Sequence, residues 1–234
     1  MPAAAKLYIA LVIALGMALL GASAAQTEIP DLTRYLSYLA LAIFCSTLKI
    51  KLPGFTGNIS MNFLFILVAI SELSLPETVT QAGAGALIQS LWKPKRRPKP
   101  VQVAFNMATL VLASGIAYLS AQTAIEAAGS SFLPLVLAVG AGLYFVMNTL
   151  AVAWVVSLVE SKSLIQTWRQ CHLWAFPYYL LGSLAAALIS YSSRTIGWQL
   201  SLLILPAMYL VYSYYRLVVE RALAQGAQAT AKAA

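Results

Sequence analysis

The sequence predicts an all-α fold, a polytopic bundle of about eight transmembrane helices with both chain ends in the cytoplasm. Of the 234 residues, 61% are hydrophobic and 9% are charged, whereas a soluble domain is ~45–50% apolar and ~25% charged. The mean hydropathy of +0.80 agrees, and the apolar residues form runs separated by polar or basic stretches. We therefore expect a transmembrane domain over 1–221 and a short disordered cytoplasmic tail over 222–234.

Eight apolar runs supply the predicted helices. In chain order they cover 7–25, 32–48, 59–72, 78–92, 101–121, 132–159, 173–191 and 198–219. The first run and the last four are long enough to cross a bilayer, which takes ~20 residues. The third and fourth are short for ~30 Å of hydrocarbon. They form either two thin or tilted spans, which we favour, or one re-entrant hairpin.

The first run also resembles a secretory signal, because Lys6 precedes it and the small-residue sequence "ASA" stands at 22–24. Its apolar stretch is long for a signal, and the charge distribution works when it is retained. We expect it to stay as the first span. If it were cleaved, seven spans would remain.

The cations orient the bundle. With eight spans, one side carries thirteen of the fifteen: Lys6, Lys49, Lys51, Lys93, Lys95, Arg96, Arg97, Lys99, Lys162, Arg169, Arg216, Arg221 and Lys232. The other side holds Arg34 and Arg194, together with the acids Glu28, Asp31, Glu72, Glu77 and Glu126. The basic side is cytoplasmic by the positive-inside rule. This excess explains the net charge of +8 without nucleic acid.

The stretch "LWKPKRRPKP" at 91–100 is the most basic part of the chain. Its prolines cannot continue a helix and favour extended backbone. We expect a cytoplasmic loop that contacts anionic lipid headgroups or, alternatively, a cytosolic partner. The contact residues would be Lys93, Lys95, Arg96, Arg97 and Lys99.

Polar residues at membrane depth are candidates for function, and the third and fourth runs hold most of them. A ligand site there would comprise Asn58, Asn62, Glu72, Glu77 and Gln81. The segment "LSLP" at 73–76 reads as a tight turn, with Pro76 starting the next helix and Glu77 in its first turn, where the helix dipole favours an acid. Glu72 ends the preceding helix, where a negative charge needs a partner, a ligand or water.

Catalytic and cofactor signatures are missing from the sequence. Two cysteines and one histidine give no disulfide framework, metal set or haem pair, so we expect no enzyme activity, no cofactor and no metal. Asn106 and Asn148, inside the fifth and sixth runs, suit hydrogen bonds between helices. The sequences "GAGA" at 83–86 and "GAG" at 140–142 suit close helix approach.

Two stretches resemble a known family. They are "LKIKLPGFTGNISMNFLFILVAISELSLPETVTQAGAGALIQSLWKPKRRPKPVQVAFN" at 48–106 and "SLVESKSLIQTWRQCHLWAFPYYLLGSLAAALIS", which continues through "GWQLSLLILPAMYLVYSYYRLVVER". They are similar to the N-terminal multi-pass sensor region of bacterial cyclic-di-GMP signalling proteins of the acidobacterial type. The resemblance covers about 30–221. In those proteins an HD-GYP phosphodiesterase or GGDEF cyclase follows the last span, whereas this sequence contains no such motif.

The resemblance implies a stand-alone sensor module of the bacterial inner membrane. It would relay a ligand or membrane signal to a cytosolic signalling enzyme. Two alternatives stay open: a transporter or substrate-capture subunit for a small solute or lipid, and an accessory packing subunit of a membrane complex. Self-association into a homo-oligomer is also left open.

Overall fold

The computed structural model describes residues 1–26, 29–51, 58–94, 97–128, 133–172 and 176–202. Beyond these it describes seven separate helical positions: Pro206, Tyr209, Leu210, Ser213, Tyr214, Leu217 and Arg221. All seven are in helical conformation, and we call them the C-terminal stripe. The predicted tail at 222–234, together with Glu28, Lys95 and Arg96, lies outside the described residues, so those expectations stay predictions.

The described elements are almost entirely helical. In chain order they are α1 (Ala3–Ala24), α2 (Leu32–Thr47), β1 (Lys49–Lys51), β2 (Asn58–Ser60), α3 (Asn62–Glu72), α4 (Leu75–Leu91), α5 (Pro100–Ala128), α6 (Leu133–Glu160), α7 (Leu164–His172), α8 (Phe176–Ile196) and α9 (Trp198–Ser201). Helices α1, α5 and α6 are long and apolar enough to cross a membrane. The chain is therefore a helical membrane protein, as its composition predicts.

Helix α3 is the centre of the bundle. Ten of its eleven residues are buried, and it packs against α2, α4, α5, α6 and α8. Eleven residues give ~16 Å of helix, about half of a bilayer's hydrocarbon thickness. Because it is enclosed by other helices, α3 has little surface for lipid, which explains why this short run is apolar on every side.

Successive long helices alternate in direction, so their ends collect into two layers. At one layer Arg34 in the first turn of α2 and Arg194 near the end of α8 meet Glu72 at the end of α3. At the opposite layer Lys49, which follows α2, donates a hydrogen bond to the carbonyl of Trp92 after α4. We call these layers the Glu72 end and the Lys49 end.

The two ends differ in charge as the sequence predicts. Among the described residues, seven cations lie at or next to helix termini of the Lys49 end: Lys6, Lys49, Lys93, Arg97, Lys99, Lys162 and Arg169. Arg34 and Arg194 lie at the Glu72 end.

A short β-hairpin precedes α3 and was not predicted. Strands β1 and β2 are antiparallel, with Lys49 opposite Ser60 and Ile50 opposite Ile59. The prediction that the third helix begins near 59 is therefore wrong, because Ile59 and Ser60 are extended and α3 begins at Asn62. Extended residues advance ~3.3 Å each. The hairpin therefore adds to the distance that the short α3 segment covers across the bundle.

Helix α7 was not predicted from the sequence either. This nine-residue helix is strongly amphipathic, and the apolar residues Leu164 and Trp168 stand four apart on one side. The Trp168 indole N–H donates to the Thr149 hydroxyl of α6 over 2.9 Å. A helix that has one apolar face but is polar overall is typical of a segment lying along a membrane interface.

Helix contacts confirm several sequence predictions. Asn106 Nδ2 donates to Ser90 Oγ over 2.9 Å, and Asn148 Nδ2 to the Tyr179 hydroxyl over 3.4 Å, so both join neighbouring helices. Gly85 in "GAGA" lies directly against the amide of Asn62. In contrast, the "GAG" at 140–142 makes no comparably close contact, since a Cβ at Gly142 would meet nothing within 4 Å.

Candidate functional site: the Glu72 cluster and the amide seam

A buried carboxylate bound by two arginines organises the Glu72 end. Glu72 ends α3, and its side chain is only 4% exposed. Its carboxylate lies 3.3 Å from Arg194 Nε and 3.9 Å from an Arg34 guanidinium nitrogen. Ser193 Oγ donates to it over 2.9 Å. We call Arg34, Glu72, Ser193 and Arg194 the Glu72 cluster.

The arginines also bind the end of the α3 backbone. The last carbonyls of a helix have no intrahelical partner, and the helix dipole makes this end negative. Arg34 donates to the Glu72 carbonyl, and Arg194 donates to the Ser71 carbonyl over 3.1 Å. The two cations therefore offset both the carboxylate and the helix terminus, which explains how an acid is tolerated at this position.

The cluster ties three helices together, namely α2, α3 and α8. Next to it, the hydroxyl oxygens of Ser71 and Ser190 lie 2.5 Å apart and form a hydrogen bond. This bond is a second link between α3 and α8. Because α8 leads into the C-terminal positions, the cluster connects the centre of the bundle to the end of the chain. Glu72 was predicted from the sequence but its partners were not, although Arg34 and Arg194 were the two cations assigned to the acid-rich side.

Glu77 lies close in sequence but has a different environment. Its carboxylate accepts hydrogen bonds from the backbone N–H and the hydroxyl of Ser74 over 2.8 and 2.7 Å, and these two residues form a capping box at the start of α4. Pro76 lies in the first turn of that helix, so the predicted turn and helix start are confirmed. The N-terminal cap accounts for the Glu77 charge.

Asn62 of α3 and Gln81 of α4 both lie at the α3–α4 interface, where each contacts the facing helix. Gln81 Nε2 donates to the Phe65 carbonyl of α3 over 2.8 Å, and Gly85, four residues further along α4, packs on the Asn62 amide. We call Asn62, Gln81 and Gly85 the amide seam. Asn62 is 1% exposed and Gln81 is fully buried.

Three polar atoms of the amide seam have no hydrogen-bond partner in the described part of the chain. They are Asn62 Nδ2, Asn62 Oδ1 and Gln81 Oε1. A buried amide without a partner is costly, and such groups are typical of functional positions in a membrane bundle. Two of the five predicted ligand residues, Asn62 and Gln81, thus lie at the same interface, and Glu77 lies one turn before Gln81 on α4. Glu72 lies at the opposite end of α3 from Asn62, while the Asn58 side chain lies outside what the structure describes.

The unpartnered Asn62 amide leads to a prediction about stability. We expect Asn62→Ala to change the free energy of unfolding by no more than about 0.5 kcal/mol, because no hydrogen bond is lost. Asn106→Ala, which breaks a real hydrogen bond, should cost about 1 kcal/mol. Thermal unfolding in detergent compares the two. A larger loss for Asn62→Ala than for Asn106→Ala would mean that the amide is held by a bound group.

At the Lys49 end, the predicted contact residue Lys93 and the neighbouring cation Lys49 lie beside one tryptophan. Lys49 Nζ donates to the Trp92 carbonyl over 2.6 Å, and Lys93 Nζ lies 5.7 Å from the centre of the Trp92 ring. Burial lowers the pKa of Lys49. We call these three residues the Lys49 corner. Arg97 and Lys99 are exposed further along the loop.

No family model, curated protein or solved structure matches this chain. The resemblance to cyclic-di-GMP signalling proteins stays a prediction. The fold and its buried ionic cluster define the class, a helical membrane protein with a charged centre at one end of the bundle.

Proposed function

We propose that the chain is a multi-pass sensor module of the bacterial inner membrane, with about eight spans and both ends in the cytoplasm. The observation that supports this most is the Glu72 cluster. One buried carboxylate and two partly exposed arginines join α2, α3 and α8, and the arginine side chains are 30% and 40% exposed. A stimulus that reaches the arginines from outside would change how α8 is held.

The charge distribution supports the orientation. The lysine-rich end faces the cytoplasm by the positive-inside rule, so the Glu72 cluster faces the outside. The signal would then pass from the end of α8 through the C-terminal helical positions to a cytosolic partner. Such a relay requires two arrangements of the bundle that the stimulus binds with different affinity.

Distance measurements between spin labels test this relay. In a chain with Cys45→Ala and Cys171→Ser, labels are placed at Val101→Cys on α5 and Tyr214→Cys on the C-terminal stripe, both exposed positions. We expect Glu72→Gln to shift or broaden the distance distribution by about 5 Å, the scale of a one-turn displacement.

Glu126→Gln is the matched control, because Glu126 is an exposed acid near the end of α5 at the Glu72 end. It should leave the distribution unchanged. An unchanged distribution in Glu72→Gln as well would contradict the relay and favour an accessory packing subunit.

A second candidate, capture of a small uncharged solute, is favoured by the unpartnered atoms of the amide seam. The oxygens of Asn62 and Gln81 do not favour an anion, and the positive end of the α3 dipole does not favour a cation. In this case Asn62→Ala would impair solute uptake while Glu72→Gln left the binding of that solute intact.

A further inference from the structure

An apolar cavity lies between α2 and α3 in the half of the bundle nearest the Lys49 end. Its volume is about 70 Å³. The lining includes Leu41, Cys45 and Leu48 from α2, Leu64 and Phe65 from α3, and Tyr209 from the C-terminal stripe. Almost all of this lining is apolar, so the cavity suits a hydrocarbon rather than water or a polar solute.

The cavity opens toward the outer surface of the bundle. Phe44, which also lines it, is 57% exposed, and a side chain on the outside of a membrane bundle meets lipid. A volume of 70 Å³ is roughly twice the ≈30 Å³ share of one water molecule in the liquid. The enclosed part therefore has room for a short segment of a hydrocarbon chain, and the open side gives onto the surface of the bundle.

The Lys49 corner adjoins the cavity along the chain. Leu48 lines the cavity, and Lys49 is the next residue, with its Cα ~3.8 Å from the Cα of Leu48. Lys49 and Lys93 both contact Trp92, which brings two ammonium groups to one interfacial tryptophan. Cations and tryptophan together at a bundle end are typical of contact with lipid headgroups.

We propose that the cavity and the Lys49 corner form one binding site for a phospholipid with an anionic headgroup. The phosphate would bind at Lys49 and Lys93, beside Trp92, and one acyl chain would enter the cavity between α2 and α3. Charge complementarity selects an anionic lipid over a zwitterionic one. The site lies at the opposite end of the bundle from the Glu72 cluster and goes beyond the proposed sensor function.

Lipid binding to the whole chain tests the headgroup half of the proposed site, at Lys49 and Lys93. The delipidated protein in detergent is titrated with dioleoyl-phosphatidylglycerol or dioleoyl-phosphatidylcholine, and bound lipid is counted by native mass spectrometry. We expect stronger binding of phosphatidylglycerol, reduced about tenfold by Lys49→Gln with Lys93→Gln. Lys162→Gln is the control, because Lys162 is a cation of the same end that pairs with Glu160, and it should change binding less than twofold.

The acyl-chain half of the proposed site can be tested through Cys45, whose side chain lines the cavity. In the Cys171→Ser protein, Cys45 is the remaining thiol, and we expect its alkylation by N-ethylmaleimide to be at least threefold slower with phosphatidylglycerol than with phosphatidylcholine. Cys45→Phe should lower phosphatidylglycerol binding, whereas Leu184→Phe, on an exposed face of α8, should not. Because alkylation is measured on the native cavity, a Cys45→Phe protein that fails to fold does not remove the test.

Three results would overturn the proposal. The first is equal binding of the two lipids. The second is a preference for phosphatidylglycerol that survives the double lysine change. The third is a Cys45 alkylation rate that the lipid headgroup does not affect. None of these measurements involves Glu72, so failure here is distinguishable from failure of the sensor proposal.

Discussion

Glu72→Gln is expected to destabilise the protein by about 2 kcal/mol. Breaking a buried ion pair by removing one partner costs about 3–5 kcal/mol, because the remaining charge is left uncompensated. The loss here should be smaller, since Arg34 and Arg194 are partly exposed and water can solvate them. For a chain of this size, about 2 kcal/mol corresponds to a fall in Tm of roughly 4–8 °C. Thermal unfolding in detergent measures it.

Removal of the two arginines is the control for this experiment. If the cost comes from two unpaired guanidinium groups, removing those groups should abolish it. Glu72→Gln introduced into a protein that already carries Arg34→Gln and Arg194→Gln should therefore cost much less than in the native chain. Glu126→Gln, at an exposed acid, should stay within about 0.5 kcal/mol.

The same experiment shows whether the Glu72 carboxylate stabilises the protein through the two arginines or through another contact. If Glu72→Gln has the same cost with and without the two arginines, the carboxylate acts through something other than the arginines, such as the 2.9 Å bond from Ser193. The proposed coupling of α2 to α3 and α8 through Arg34 would then lose its basis.

Helix positions were largely predictable, because apolar runs and capping residues are local features. The turn before α4 shows this clearly, since Ser74, Pro76 and Glu77 specify a helix start by themselves. The hairpin before α3 was not predictable in the same way. Its strands are three residues each and depend on pairing with one another, and a short apolar run does not distinguish strand from helix.

The candidate site was only half predictable. Glu72 stood out because an acid at a helix C-terminus requires compensation. Its partners are 38 and 122 residues away in sequence, and local patterns cannot join such positions. One clue was present, because Arg34 and Arg194 were the only cations assigned to the acid-rich side. Asn62 and Gln81 were named as polar residues of neighbouring runs, but the close approach of the Asn62 amide to α4 depends on Gly85, whose missing side chain admits the amide.

The packing of α1 on α5 leads to the other large prediction. Gly16 faces Ala108 so closely that a Cβ at position 16 would lie 2.5 Å from the Ala108 Cβ and 2.6 Å from its Cα. Backbone atoms cannot rotate away as a flexible side chain can. Any larger residue at 16 must therefore push the two helices apart. Overpacking of this kind costs about 1–3 kcal/mol or more.

We expect Gly16→Leu to cost about 3 kcal/mol in the free energy of unfolding, measured by thermal or denaturant unfolding in detergent. The intrinsic helix propensity of leucine acts in the opposite direction and recovers less than about 1 kcal/mol. Gly21→Leu is the matched control on the same helix, because a Cβ at Gly21 meets nothing within 4 Å. It should be neutral or slightly stabilising.

The comparison also tests whether α1 belongs to the folded bundle. Besides Gly16, the helix contributes Tyr8, whose ring stacks on Trp154 of α6 at 5.2 Å between centroids. Leu20 packs on Gly83 of α4, so α1 contacts three helices and not α5 alone. A cleaved signal would leave these contacts unused. Equal stabilities for Gly16→Leu and Gly21→Leu would therefore argue that α1 is not packed in the mature protein, whereas a loss confined to Gly16→Leu would support a retained first span.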